Sequence, residues 1–373
     1  MPNTPRGYPV PASTDVVSLD AVQNLADAID TDVASVEQLA LNTGRAIPAM
    51  HGASISPWRA PLADTVAQVE ELGSNTVTFS IRASSTLTGS TVTIAASEWV
   101  WGDPAYNALA PGRRMILEPY PWLDDGAGLE TEWDPADVNL WFTEWQAAIL
   151  ELAGHYPTAW GIYIGSNLVH LEGYHAKWLA LISAVRAAHP NMQILMRTNW
   201  WYTAAEDPSS FTVYNAKLAN PVFDAVDMLA IAWYFELCDT ASPDLDELTD
   251  VLLRGTTIAH GVLPRDQQII TQVAALSNAH GGVPIYAGEL AVARMPHGAR
   301  MPWSNQTGVA YPDDERDRQM QRRYVQAWME TVGTQPWCAG YSLYSVGYLH
   351  PGDNEYTLDP NARRYLAACA AAV

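Results

Sequence analysis

Lysine is nearly missing from this sequence: Lys177 and Lys217 are the only two in 373 residues, and arginine carries the remaining positive charge. With 20 basic against 41 acidic residues the formal net charge is −21. So acidic a surface repels phosphate backbones, and nucleic acid is not an expected partner. Cysteine is equally scarce. Cys238, Cys338 and Cys369 are odd in number, far apart and without CxxC or Cys/His ligand spacing. They read as buried thiols, which excludes a disulfide framework and a zinc site. No apolar run approaches the ~20 residues needed to span a bilayer, so membrane insertion is not expected. The first residues, Met1 to Arg6, lack the apolar core of a secretory signal, and export by a cleavable leader is not expected either. Walker, HExxH, GxSxG and Gly-rich dinucleotide motifs are absent, so no cofactor or metal is expected.

What the chain does have is a large apolar share, 48%, beside 16% charged residues, which describes a globular protein with a substantial core. Residues 1 to about 17, punctuated by Pro2, Pro5, Pro9 and Pro11, form an extended lead. Ser18 is a plausible N-cap, and no Pro or Gly follows until Gly44. Within that stretch Val22, Leu25, Ile29, Val36 and Leu39 alternate at three- and four-residue spacings. That is a coiled-coil-type seam of about three heptads, although a helix docking on its own domain shows nearly the same pattern. Residues 1–44 are therefore expected to be an attachment or oligomerisation segment, and 45–373 a separate domain.

From Ala46 onward, apolar strand-like runs alternate with amphipathic helical ones. Strand candidates begin with Ala46–His51, Thr76–Arg82 and Arg114–Tyr120. They continue with Trp160–Gly165, Gln193–Thr198, Val226–Trp233, Pro284–Leu290 and Cys338–Tyr344. Between them, helices are expected at 62–72, from Asp134-Pro135 to Gly154, at 175–188, 211–218, 245–253, 265–279, 314–329 and 360–371. The stretch with Trp99, Trp101 and Tyr106 reads as loop. Trp141, Trp145, Trp178 and Trp328 sit at helical spacings and belong to the core. Eight strand–helix units without an internal linker predict an α/β fold, one (β/α)8 TIM barrel preceded by the extended segment and helix.

Strand seven organises the rest. Pro284-Ile-Tyr-Ala-Gly-Glu-Leu-Ala-Val292 is a short buried strand that delivers one carboxylate, Glu289, at its far end. In a (β/α)8 barrel the carboxyl ends of the strands line the active-site face. The bland alternative is a structural carboxylate paired with Arg294 or Arg300. Reading the other strand ends the same way gives His51, Arg82, Glu118, Tyr120, Asn167, Asn199, Trp200, Trp201, Trp233, Tyr234, Glu236 and Tyr344. Carboxylates and amides beside aromatic platforms suit sugars, which present hydroxyls and flat C–H faces together.

The pieces IYIGSNLVH (162–170), KWLALISAVRAAHP (177–190), LMRTNWW (195–201), VDMLAIAWY (226–234), IYAGELAV (285–292) and WCAGYSLYSV (337–346) together resemble glycoside hydrolases of the large retaining (β/α)8 clan, nearest the β-mannanase-like family. The resemblance implies that Glu289 stands at the nucleophile position. It also implies a Glu at the end of strand four as general acid/base, where this chain has Gly165-Ser166-Asn167-Leu168 and no carboxylate. Protonating a leaving oxygen requires an acid, so slow or absent hydrolysis is expected unless a displaced acid such as Glu172, Glu118 or Glu236 serves. The amino terminus, through Arg6–Pro11, Asp15-Val16-Val17 and Leu25–Asp30, is similar to the start of minor tail proteins and tail fibres of long-tailed phages of actinobacteria. That resemblance implies a homo-oligomer, a trimer in preference, joined to other phage tail proteins at the virion tail tip. It also implies host cell-envelope glycan as the barrel's partner.

Three readings follow for the whole chain. It is a tail protein that binds glycan through a glycosidase-like barrel, an active tail glycoside hydrolase, or a structural tail part whose barrel is a spacer. A free bacterial enzyme would need a secretion route.

Overall fold

Alternating inward and outward side chains give each barrel strand of this chain two apolar faces, one for the barrel interior and one for the surrounding helices. The computed structural model describes residues 48–124, 129–205, 207–238, 243–260, 263–293, 298–303, 319–347 and 356–371. The expected segment 1–44, with its seam, lies outside the described residues.

In chain order the elements are β1 (Met50–Ile55), α1 (Leu62–Glu71), β2 (Thr76–Ser85), α2 (Ala96–Leu109), β3 (Arg114–Leu123) and α3 (Val138–His155). Then come β4 (Gly161–Ser166), α4 (His175–Ala188), β5 (Gln193–Thr198), α5 (Phe211–Leu218), β6 (Met228–Trp233), α6 (Leu245–Arg254), β7 (Thr256–His260), β8 (Leu263–Gln267) and α7 (Ile269–Ala279). The chain continues through β9 (Ile285–Leu290), α8 (Met320–Thr331), β10 (Cys338–Val346) and α9 (Pro360–Ala371). Eight strands close into a barrel in the order β1-β10-β9-β6-β5-β4-β3-β2. Every barrel pair is parallel. This is a (β/α)8 barrel.

The lower barrel interior is filled by Met50, Ile116, Tyr163, Leu195, Met228, Ala230 and Tyr286. The larger core lies between strands and helices, where Trp133, Trp141, Trp145 and Trp178 are fully buried. Trp145 donates its indole N–H to the Ile164 carbonyl at 2.7 Å, and Trp178 to that of Leu171 at 2.8 Å. Burial on this scale contributes about 2–3 kcal/mol per side chain, and the satisfied N–H groups keep that gain from being lost to desolvation.

Several elements differ from the sequence reading. Strand β1, expected over Ala46–His51, runs Met50–Ile55, which puts His51 near its amino end. The stretch expected as loop is helix α2, which contains Pro104. Pro104 removes one helical N–H, but it does so on a turn where Val100 and Trp101 are exposed, so water can satisfy the freed carbonyl. Helix α3 starts at Val138 instead of Asp134, because Asp137 accepts hydrogen bonds from the N–H groups of Asn139 and Leu140 and so caps it. Strands β7 (Thr256–His260) and β8 (Leu263–Gln267) pair antiparallel, outside the barrel. The helix expected from Arg265 accordingly begins at Ile269. Of the stretch expected as helix over 314–329, residues 314–318 lie outside the described residues.

Candidate active site at the barrel mouth

Three strands send one charged side chain each to the centre of the mouth. Glu118 comes from β3, Arg197 from β5 and Glu289 from β9, and all three are buried. The guanidinium Nη2 of Arg197 lies 2.5 Å from Glu118 Oε1 and 2.9 Å from Glu289 Oε1. Glu118 is held further by Ser80, which donates to Oε2 at 2.6 Å, and by Ser166, which donates to Oε1 at 3.0 Å. Both carboxylates meet the same nitrogen and supply the counter-charge that a buried guanidinium requires, while its Nε has no hydrogen-bond partner among the described residues.

Two glycines sit where the pleat is interrupted. In β9 the register against β6 shifts between Ile231 and Ala232, which pairs with Glu289. Tyr286 faces the interior and Ala287 the helices. Gly288 then faces inward, since a Cβ there would meet Arg197, Ala230 and Tyr163, and Glu289 also turns inward to Arg197. In β4 the register against β5 shifts between Tyr163 and Ser166. There Ile164 and Gly165 both face the helices, a Cβ on Gly165 meeting Trp178, and Ser166 returns to the interior beside Glu118. Such bulges re-aim side chains near sites.

Burial pushes the Glu289 carboxyl up from 4.5 to about 7; Arg197 and a hydrogen bond from Asn167 pull it down, while Glu118 and Glu130 push it up. A carboxyl poised there can serve as acid, base or nucleophile near neutral pH. Burial works against the charge of Arg197, but Glu118 and Glu289 more than offset this and hold it protonated, with its pKa raised. Burial also drives the phenols of Tyr120 and Tyr234 well above their usual range, and nearby Glu289 adds to both shifts. Both remain hydrogen-bond donors.

Asn167 follows β4 with φ +54, in the left-handed region that asparagine tolerates better than most residues. Its backbone N–H bonds the Arg197 carbonyl at 3.1 Å, and its side-chain amide donates to Glu130 Oε1 at 3.3 Å. Glu130 begins a short 3-10 turn after β3. A strained residue at a strand end, holding a carboxylate, is a functional indication in its own right.

Aromatic side chains surround this centre. Trp58, Tyr120 and Trp122 cluster on the β1–β3 arc, with the Arg59 guanidinium 5.8 to 5.9 Å from all three rings. Arg59 also donates to the Tyr344 hydroxyl at 3.2 Å. Arg82 packs 5.1 Å from the Trp58 ring and is anchored by buried Glu98 of α2, at 2.8 Å through Nε. On the opposite arc, Trp200 stacks on Trp303 at 5.6 Å and meets Tyr234 edge-on at 5.3 Å, with Tyr344 and Tyr356 beside them.

The mouth thus brings together Arg82, Glu118, Tyr120, Asn167, Trp200, Tyr234, Glu289 and Tyr344. His51, Trp201, Trp233 and Glu172, also read from the sequence, lie elsewhere. His51 stacks on Tyr341 in the helix-facing layer at the amino end of β1. Trp233 packs on Phe235 and Trp328, and Trp201 on Tyr214 and Phe235, all in that same layer. One residue of alternation separates each from an inward neighbour, Trp200 or Tyr234. Asn199 accepts the backbone N–H of Trp200, and Glu236 is buried beyond β6. Glu172 accepts a hydrogen bond from Thr198 and pairs with Lys217 of α5 at 3.3 Å, so its carboxylate faces the helix layer. The strand-end reading missed Arg197, Glu130, Arg59, Trp58 and Trp303. Arg197 carried a usable signal, a lone arginine inside an apolar strand, because a buried charge demands partners.

Beside the mouth, Trp58, Arg59, Val100 and Trp101 line a cleft of about 450 Å³ that runs outward between α1 and α2 and contains none of the three central charges. Among the described residues no group of three or more His, Cys, Asp or Glu side chains could hold a metal ion. Also among the described residues, the three cysteines are free, and no helix is long and apolar enough to cross a membrane.

No family model matches the chain, and no curated protein matches it. Among solved structures it is similar to a GH113 β-1,4-mannanase, with 15% identity, a TM-score of 0.63, and 86% of this chain and 98% of that chain covered. It is similar also to the AHE enzyme of Alicyclobacillus herbarius, with 14% identity, a TM-score of 0.50, and 84% and 86% covered. At these identities the likeness is one of fold: the chain is a (β/α)8 barrel of the glycoside hydrolase-like shape.

Proposed function

We propose that the barrel mouth binds glycan. The observation that carries this reading is the buried Glu118–Arg197–Glu289 cluster set between two arcs of aromatic side chains at the carboxyl ends of the strands. Ionic and amide groups fix hydroxyls, while the aromatic rings accept the C–H faces of a sugar. The similarity to a β-1,4-mannanase makes β-1,4-linked mannan oligosaccharides the first ligands to try. Calorimetric titration with mannotetraose, and with other β-linked tetrasaccharides in parallel, tests the reading. Saturable binding weakened by Trp200→Ala and by Glu289→Gln supports it. Binding indifferent to both variants, or no binding across the set, overturns it.

On strand-end residues alone the site binds without efficient hydrolysis, since neither Asn167 nor Leu168, which follow β4, can supply a proton. The context we propose is a phage tail tip, with residues 1–44 joining the protein to its tail and to its own copies. That part rests on the amino-terminal residues, which resemble tail proteins. Light scattering on the full chain and on a chain starting at Gly44 checks it. Equal monomeric masses together with normal incorporation of the shorter chain into virions would overturn it.

A further inference from the structure

We propose that Glu130, from the turn after β3, is the proton-donating partner of Glu289, so that the mouth cleaves the glycan it binds. The inference rests on the glycan-binding reading and extends it from binding to chemistry.

Asn167 carries the argument. Its side-chain N–H donates to Glu130 at 3.3 Å and also hydrogen-bonds Glu289. Two oxygens within hydrogen-bond reach of one nitrogen are at most ~6–7 Å apart, a span that includes the about 5–5.5 Å between carboxyls that a retaining glycosidase uses. The other end of that amide gives an independent indication. Asn167 is 4% exposed, and its Oδ1 has no partner among the described residues. An orphaned buried acceptor is a cost that native structures keep at functional positions. Glu130 is only half-buried, whereas Glu289 and Glu118 are buried against Arg197, so Glu130 is the carboxyl with access to an incoming glycosidic oxygen.

The chemistry balances with these two groups and water. Glu289, fixed through Oε1 by Arg197, attacks the anomeric carbon with its other oxygen and forms a glycosyl ester. The bond from that carbon to the leaving oxygen breaks, and the Glu130 proton passes to that oxygen, releasing an alcohol. Water then attacks the same carbon and gives a proton to the Glu130 carboxylate. The ester bond breaks, and Glu289 is regenerated. Asn167, just beyond β4, carries no carboxyl itself and acts by holding one from the loop after β3.

The experiment uses the full chain with 2,4-dinitrophenyl and phenyl β-mannobiosides, the first with a leaving group that needs no proton. Glu130→Gln is expected to cut turnover of the phenyl substrate ~10²–10⁴-fold while largely sparing formation of the glycosyl ester from the dinitrophenyl one. Azide should restore product release as a glycosyl azide of retained configuration. Glu172→Gln, placed in the helix layer, should keep the parent's ratio between the two substrates, a readout independent of how much protein folds. Equal losses on both substrates, or none, would overturn the assignment. A parent that binds mannotetraose but cleaves neither substrate overturns it and leaves glycan binding standing; a parent that binds nothing overturns both. Carbon-13 titration of Glu289 supplies a test without any sugar. Its midpoint should fall in Glu130→Gln, and an unmoved midpoint would separate the two carboxyls.

Discussion

Gly288 lies where any larger residue would strike Arg197: a Cβ on it would come 2.9 Å from Arg197 Cδ, with Ala230 Cβ and the Tyr163 hydroxyl both at 3.0 Å. The stem of the central arginine passes through the space that a missing side chain leaves. Gly288→Ala should therefore cost about 1–3 kcal/mol by overpacking. It should also raise the Glu289 midpoint further, because the displaced guanidinium no longer favours the carboxylate. Thermal melts and carboxyl titration check the two effects together. A stable variant with an unchanged midpoint would mean the arginine sits elsewhere.

Removing the arginine is expected to be worse than removing the whole cluster. Arg197→Met leaves Glu118 and Glu289 buried without a counter-charge, which costs about 3–5 kcal/mol. Adding Glu118→Gln and Glu289→Gln to that variant should recover most of the loss, since the penalty belongs to the unpaired charges. Denaturant unfolding of the single and triple variants measures this, and additive losses would contradict it.

Glu289 also sets a pH dependence of stability. Its folded pKa, about 7, lies above the ordinary 4.5, so the fold favours the protonated carboxyl. The stabilisation is fully present below about pH 4.5 and is lost as the pH rises through 7. Relative to Glu289→Gln, the parent should lose about 3 kcal/mol across that window. Melting curves of both proteins from pH 4 to pH 8 test it, and parallel curves would show that Glu289 does not titrate there.

Neighbouring tryptophans should separate binding from stability. Trp233→Ala empties the packing against Trp328 and Phe235 and should cost about 3–5 kcal/mol. Trp200→Ala, at the half-buried mouth, should cost about 1 kcal/mol yet weaken glycan binding. The opposite pattern in paired melts and titrations would invert which face of the strands holds the ligand.

The strand–helix alternation was legible because each barrel strand is a short β-branched or aromatic run between helices of helical periodicity. The end of β9 was legible for the same reason: Glu289 closes an apolar run, where a carboxylate has few bland explanations. Local pattern could not say which way a strand end points. Trp200 and Trp201 look interchangeable in sequence, and only the pleat sends one to the mouth and the other against Tyr214. Nor could it find partners far apart in the chain. Arg197 meets Glu118 and Glu289 across 79 and 92 positions, and Glu130 meets Asn167 across 37. Helix α2 escaped because Gly102 and Pro104 break its pattern. The β7–β8 pair escaped because its second strand runs almost directly into a helical stretch.

The two interrupted pleats also govern how this site can change. A regular strand counts side chains by twos, and β9 and β4 each break the count once, at Gly288 with an extra inward residue and at Gly165 with an extra outward one. Where Glu289 and Ser166 point is therefore decided by the number of residues before them as much as by their identity. Exchanging mouth side chains leaves that count intact, so the lining of the mouth can be retuned by point substitution. Losing either glycine would restore the regular alternation with Glu289 or Ser166 still facing the interior, but would draw that side chain one residue back along the strand and out of register with its partners. Diversification of this mouth should proceed by replacement within strands of fixed length, with insertions and deletions confined to the loops beyond them.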